Sequence, residues 1–306
     1  MNPEEDVIQL DQIKWVKHKL WWLLDEPQTS PAWHLYRRGR ATGSIAGYCA
    51  GHGNPRFSTP EEEKLYLSGR KKKTFTEKQL KAMAIGVERE PIARDKYMKD
   101  TGKIAIEVGL VIPTWETRMG SSVDGIVIDP SCLTKSVEEY SKLELIEKAE
   151  GILEIKSPGK LYQPLRSKFY QTQLLKQHNI PILSPSSGEI TNESHAWKKY
   201  FNHIYQTHFD QMQLGMGVLR KPWADYMVYA PDGIYLERIP YCHKYFIHQL
   251  INPVREFLKN DLDPILPAGW RQPILLTQQT KTKIISTENK KVISSGWRQP
   301  AHFFEN

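Results

Sequence analysis

The segment that most constrains this chain is Gly151-Ile-Leu-Glu-Ile-Lys-Ser-Pro158, an apolar run carrying a carboxylate and an ammonium two residues apart. Its composition predicts a short strand, and residues two apart on a strand share one face, so Glu154 and Lys156 point the same way. Burying either charge without a partner or a metal costs several kcal/mol. The pair is therefore either a salt bridge at a strand end or a chemical centre. Two further Glu-x-Lys triplets, Glu62-x-Lys64 and Glu288-x-Lys290, lie in polar runs and read as solvated surface charge. Ser122-Val-Asp-Gly125 stands ahead of the apolar Ile126-Val-Ile128. It predicts a neighbouring strand from which Asp124 reaches Glu154, with an Asp-Gly hairpin turn as the alternative. Two carboxylates and the Ile155 carbonyl make an oxygen-rich site suited to Mg²⁺, with Mn²⁺ as a substitute. A cation held there activates water and orients a phosphate, and Lys156 beside it steadies the developing charge. The expected chemistry is metal-dependent phosphodiester hydrolysis.

Around this centre the patterns alternate. Residues 1–26, including Trp21-Trp-Leu-Leu24, predict an N-terminal helix ending near Pro27, and Trp33 to Ala46 a second segment. Residues 57–76 predict a polar loop ending in Lys71-Lys72-Lys73. Leu80, Ala84, Val87, Ile92 and Tyr97 predict a helix from Glu77 to about Asp100, stopped by Thr101-Gly102 and bent at Pro91. Three β-like runs follow, Ile104–Ile112, Ser122–Ile128 and Gly151–Lys156, the last two separated by a charged excursion over residues 133–150. Residues 181–193 predict an exposed loop. His195–Leu219 predicts a helix interrupted at Gly215 and Gly217, then strands at Asp225–Ala230 and Ile234–Ile239 and a helix from Tyr241 to Asn260. Gly269-Trp-Arg-Gln-Pro273 recurs unchanged as Gly296-Trp-Arg-Gln-Pro300, and residues after about 274 predict a flexible tail.

A chain of 306 residues suffices for one sizeable domain with additions. The division expected is an N-terminal helical segment (1–32), a main domain (33–260) and a C-terminal extension (261–306). With 42 Lys+Arg against 35 Asp+Glu, a net charge of +7 leans slightly toward polyanionic partners. Three scattered cysteines with no CxxC pair argue against a zinc knuckle or a disulfide framework. No run approaches the roughly 20 apolar residues of a membrane span. An intracellular protein is expected.

The order of a helical Glu, an Asp-Gly and a Glu-x-Lys resembles the PD-(D/E)xK nuclease superfamily, and more narrowly the lambda-type phage exonuclease or YqaJ-like viral recombinase family. The resemblance extends to Trp33-His-x-x-Arg37-x-Gly39-x-x-Thr42-x-Ser44, Gly86-x-x-x-Glu90 and Gln211-Met-Gln213. Five segments in order, from about 33 to 240, are more specific than any one. The family's usual acid before the Asp-Gly strand has no clear counterpart, with Glu116 as a candidate. The stretches near 131–150 and 180–195 and the tail lie outside the match.

The resemblance implies an α/β fold with a restriction-endonuclease-like core, a central mixed β-sheet flanked by helices. It implies that Asp124, Glu154, the Ile155 carbonyl and Glu90 hold Mg²⁺. Lys156 would position or help deprotonate the water, and Gln213 would orient the water or Lys156. Glu88 is a neighbour of Glu90 that the Gly86 spacing sets aside. Arg37, Ser44 and Thr42 would bind a terminal 5′-phosphate, a task suited to a planar guanidinium. Apart from the resemblance, Lys71, Lys72 and Lys73 read first as a solvated loop, with contact to DNA phosphates or a nuclear-import signal as the alternatives. The activity implied is 5′→3′ exonucleolysis of linear duplex DNA, leaving a 3′ single strand for an annealing protein, by a homo-oligomer such as a trimeric ring. A virally encoded member would act in the host cytoplasm or nucleus. A structure-specific endonuclease and an inactive DNA-binding relative are the alternatives.

Overall fold

A computed structural model of the protein describes residues 13–162, 165, 196–267 and 269–271. Ten strands are formed among them: β1 (Trp15–Lys17), β2 (Trp21–Leu24), β3 (Ala41–Thr42), β4 (Ile104–Ile106), β5 (Leu110–Pro113), β6 (Met119–Gly120), β7 (Gly125–Ile128), β8 (Gly151–Lys156), β9 (Trp223–Ala230) and β10 (Gly233–Pro240). The principal helices are α1 (Pro31–Arg37), α2 (Gly43–Cys49), α3 (Pro60–Leu67), α4 (Glu77–Thr101), α5 (Lys142–Lys148) and α6 (Gln206–Leu219).

The centre is a five-stranded mixed sheet in the order β10-β9-β8-β7-β4. Only β8 and β9 run parallel, with Glu154 opposite Tyr226. One face of the sheet is covered by the C-terminal half of α4, whose Ala93 and Tyr97 are buried with Val127, Leu153 and Met227. The other packs on α6, where Phe209, Met212, Leu214 and Met216 are inaccessible. The mixed sheet flanked by helices is the architecture expected.

Local signals account for the ends of α4. Thr76 and Gln79 form a reciprocal capping box at its start, and Gly102 at φ 70° closes it. The helix α6 continues through both of its glycines because helices and sheet crowd there. A Cβ on Gly215 would lie 2.9 Å from Ile152, and one on Gly217 would lie 2.3 Å from Phe246. The charged excursion contains α5, whose C-terminal carbonyls receive the buried Lys221: Nζ donates to Ile146 O and Ala149 O, both at 2.6 Å. A helical run over residues 243–265 ends the described core, as the apolar spacing indicated.

Four expectations need correction, the first being the loop at 57–76, where Pro60–Leu67 forms α3 because Thr59 caps its start by accepting the Glu62 N–H and Pro60 begins it. Described residues of the N-terminal segment form no helix between 13 and 26; β1 and β2 make an antiparallel hairpin, and β2 pairs with β5. Aromatic and branched residues favour a pleated surface, and Trp21, Leu23 and Leu24 find burial there that a lone helix would not supply. Residues 1–12 lie outside the described residues. The run Ile104–Ile112 is two strands in different sheets, broken at 107–109. Gly109 permits the break, since a Cβ on it would fall 1.9 Å from the Leu24 carbonyl. The stretch before α6 is a 3₁₀ turn, Ala196–Asn202, and α6 begins only after Tyr205. The expected loop at 181–193 and the tail after 274 lie outside the described residues.

Candidate active site

The antiparallel register of β7 and β8 pairs Gly125 with Leu153, which sets Asp124 beside Glu154. Asp124 Oδ2 accepts the Ile155 N–H at 2.6 Å. Glu154, 1% exposed, accepts Lys156 Nζ on Oε1 at 2.6 Å. The same ammonium donates to Gln211 Oε1 at 3.1 Å, tying the strand to α6. From the opposite side α4 brings Glu90, whose Oε1 accepts Arg94 Nη2 at 2.6 Å. Arg94 Nε in turn donates to the Asp124 carbonyl at 2.9 Å, so it joins the helix to the strand end. The helix presents Glu90 toward Asp124 and leaves Glu88 exposed.

The carboxylates sit in an environment that resists their charge. Burial, reinforced by Asp124 and Glu90, pushes the Glu154 carboxyl up to about 8 despite Lys156. Burial and Asp124 push Glu90 up to about 7 despite Arg94. Asp124 is also raised by burial, against the pull of Lys156 and the Ile155 N–H. Burial opposes the charge on Lys156, but Glu154 and Asp124 outweigh it and hold the ammonium above its ordinary value. Crowded, desolvated carboxylates beside one lysine are a donor set that a divalent cation would relieve. Among the described residues no three His, Cys, Asp or Glu side chains are already gathered around one point. The carboxylates are instead turned to Ile155 N–H, Lys156 and Arg94, and their oxygen chemistry fits Mg²⁺ or Mn²⁺ better than softer metals.

A second constellation lies at the end of α1. Ser30 caps the helix, accepting the Trp33 N–H, and Pro31 starts it. Arg37 Nη2 donates to Thr42 Oγ1 at 2.9 Å and to Ser44 Oγ at 3.3 Å. Its guanidinium carbon lies 3.9 Å from the Trp33 ring centroid. Among the described residues no carboxylate pairs with it, and burial draws its pKa down to about 10, so it remains a cation at neutral pH. Ser44 is exposed, which opens the cluster to solvent. The two constellations are joined: Trp33 Nε1 donates to Ser122 Oγ at 2.8 Å, two residues before Asp124. Gly43 lets α2 meet α6, since a Cβ there would lie 3.2 Å from Gln211 Cγ.

Several other residues fall elsewhere than expected. Gln213 does not reach the site: it is fully buried, donates to the Pro240 carbonyl at 3.0 Å and accepts the Cys242 N–H at 2.8 Å. Residues two apart on a helix point to different sides, so only one of Gln211 and Gln213 could face Lys156, and it is Gln211. Glu116 is not the missing acid. It is bound by Arg118 Nε at 2.6 Å, which offsets its burial and holds its carboxyl below the ordinary value. The acid near the site is Glu107, 3.3 Å from Arg94 Nη2 at the break between β4 and β5. A strand pattern hides such a break, whereas the Glu90/Arg94 spacing was readable as an i,i+4 pair.

Lys71 and Lys73 pair with Glu62 and Glu63 of α3 at 3.3 and 2.7 Å, and Lys72 is exposed. Trp197 and Tyr200, next to α6 in sequence, are core, whereas Tyr205 is 59% exposed. His208, half-buried, hydrogen-bonds with the Tyr226 hydroxyl at 2.8 Å, and burial together with the nearby Lys156 charge holds it neutral.

Gln211→Ala should lower turnover without loss of stability. Gln213→Ala should cost about 2 kcal/mol of stability by orphaning a buried N–H and C=O. Urea titration and turnover rates on the two variants separate the roles; a Gln213 variant of full stability and lost turnover would reverse the assignment.

Residues 32–181 match the model of the YqaJ-like viral recombinase domain. No curated protein matches the sequence. Among solved structures, the alkaline exonuclease LHK-Exo from Laribacter hongkongensis is 20% identical, with a TM-score of 0.47 over 77% of this chain and 94% of that one. The structure of LHK-Exo in complex with dAMP is 18% identical, with a TM-score of 0.46 over 86% and 98%.

Proposed function

We propose, from the premise that this chain carries a YqaJ-like viral recombinase domain over residues 32–181, that it is a metal-dependent deoxyribonuclease that degrades linear duplex DNA from its ends, 5′→3′. The observation that carries this reading is the network in which Asp124, Glu154 and Lys156, on adjacent strands, are joined through Arg94 to Glu90.

Asp124, Glu154, the Ile155 carbonyl and Glu90 would hold Mg²⁺, which, when bound, supplies a more acidic water and neutralises charge on the phosphate. The chain's own groups do the rest. Lys156 is held as an ammonium by Glu154 and Asp124. It therefore serves as a fixed positive charge beside the scissile phosphate and a hydrogen-bond donor that orients the attacking water, rather than as a base. Gln211 fixes the rotamer of Lys156 from α6. Arg94 fixes the end of β7 and keeps Glu90 at the site's edge.

Arg37, Thr42 and Ser44 receive the terminal 5′-phosphate. A guanidinium that pairs with no carboxylate among the described residues, stacked on an indole and flanked by two hydroxyls, offers charge and directional donors to a dianion. The Trp33–Ser122 bond fixes the spacing between that pocket and Asp124, so one end-bound nucleotide register is presented for cleavage. The 3′ strand left behind is the natural substrate of a single-strand annealing partner. No helix among the described residues is long and apolar enough to cross a membrane.

End-labelled linear duplex with a 5′-phosphate should be shortened in Mg²⁺ and not in EDTA, and covalently closed circles should survive. Equal attack on circles would establish the endonuclease reading instead, and shortening from 3′ ends would overturn the polarity.

A further inference from the structure

Residues 269–271 dock on a seat made by two distant turns. Trp270 is 8% exposed, and its indole Nε1 donates to the Leu67 carbonyl at 2.5 Å. The ring lies on two glycines of positive φ, Gly39 at 63° and Gly69 at 71°. A Cβ on Gly69 would come within 2.3 Å of Trp270 Cη2, and one on Gly39 within 2.8 Å of Cδ1. Arg271 Nε donates to the Gly39 carbonyl at 2.7 Å, and its Nη1 pairs with Asp263 at 2.7 Å. Gly269 turns the chain into the seat at φ 74°. Two backbone carbonyls, a glycine floor and one carboxylate thus recognise the side chains of a Gly-Trp-Arg tripeptide, and Trp and Arg are the residues most often found to anchor interfaces.

The same tripeptide occurs once more, as Gly296-Trp297-Arg298 inside the repeated pentapeptide. It carries the same three residues in the same order, so the sequence holds a second copy of what the seat recognises. Exchanging the two copies swaps these contacts one for one, and the tether decides which occupant wins. Residues 269–271 follow directly from the helical run that carries Asp263 and dominate. Residues 296–298 belong to the same chain, and a ligand joined by a short flexible linker has an effective concentration on the order of mM. A second copy of the chain at about µM competes roughly a thousandfold less well.

We propose that residues 296–298 are a second ligand of the Gly39/Leu67/Gly69/Asp263 seat within the same chain. They take it whenever residues 269–271 leave, so that the C-terminal segment has two docked registers. Seat occupancy matters because Gly39 lies two residues after Arg37, in the turn that follows α1. A spare ligand keeps that turn clamped.

The full-length chain with Trp270→Ala, Trp297→Ala or both tests this by thermal denaturation. Trp297→Ala alone should leave the Tm unchanged, and Trp270→Ala should lower it by less than the double substitution does. A labelled peptide of residues 294–302 should bind the double variant at least about tenfold more tightly than its Trp297→Ala counterpart. A double variant no less stable than Trp270→Ala would overturn the proposal, as would a peptide showing no preference. A Trp270→Ala variant that fails to fold would count the same way, since the second copy should fill the seat. Rescue of Trp270→Ala that rises with protein concentration would assign the occupant to another copy and overturn the same-chain register.

Discussion

Replacing Lys156 by alanine is expected to lower the single-turnover rate of Mg²⁺-dependent cleavage by about 10²- to 10³-fold, the usual cost of removing one preorganised charge from a hydrolytic site. Among the described residues Lys156 is the sole lysine bonded to Glu154, and it balances a carboxyl that is 1% exposed. Its removal both deletes the charge aimed at the phosphate and raises Glu154 further, so apparent Mg²⁺ affinity should fall as well. Saturating Mg²⁺ should restore binding of the ion but not the rate. Duplex binding in Ca²⁺ should change only slightly, because the proposed phosphate pocket lies at Arg37, Thr42 and Ser44. A Lys156 variant of undiminished rate would remove this residue, and the network around it, from the mechanism.

Arg37→Ala should produce a different defect. Hydrogen bonds to a charged group are worth about 1.5–3 kcal/mol, so the preference for 5′-phosphate over 5′-hydroxyl ends should drop by about 10- to 100-fold. The rate on a saturating pre-nicked substrate should be largely kept. Arg37→Lys should recover only part of the preference, since a point charge cannot engage two phosphate oxygens as a planar fork does. Its stacking on Trp33 and its bonds to Thr42 and Ser44 set that fork in place. Competition between the two ends in one reaction measures the ratio directly. An unchanged ratio would move end recognition away from this cluster.

Much of this arrangement was legible before any coordinates. The Asp124 and Glu154 strands and the α4 helix rest on local spacing, which a sequence displays, whereas Glu90 and the Arg37/Thr42/Ser44 cluster were legible only through the resemblance to a nuclease family's motifs. What it concealed depends on which face or which partner wins in three dimensions. Gln211 and Gln213 are two apart, so the motif alone could not say which side of α6 meets Lys156. The hairpin at Trp15–Leu24 reads as an amphipathic helix until β5 is known to lie beside it. Glu107 sits where an apparently continuous strand splits between two sheets, a break decided by the close approach of Gly109 to the Leu24 carbonyl. Glu116, by contrast, stood in sequence as a candidate for the missing acid and is paired with Arg118 and Arg255.

The raised carboxyls also set a pH dependence. In the folded chain burial, with the neighbouring carboxylates, pushes the Glu90 carboxyl up to about 7 and that of Glu154 up to about 8, above the ordinary 4.5. The folded chain therefore binds more protons than the unfolded one across that interval, and without a cation it loses stability as pH rises through it. Protons and Mg²⁺ compete for the same oxygens, so Mg²⁺ affinity should climb from pH 7 to 8 and flatten above. Calorimetric titrations in buffers of different ionisation enthalpy should show proton release at pH 7 that vanishes by about pH 9. Affinity independent of pH over that range would contradict the shifts.

The central claim is that Asp124 and Glu154 hold the metal that cuts DNA. Anomalous scattering from crystals soaked in Mn²⁺ at pH 8 tests it most directly. The account predicts a peak between the carboxylates of Asp124 and Glu154, within reach of the Ile155 carbonyl and lost in Asp124→Asn. A peak elsewhere, or none at that position, would contradict it.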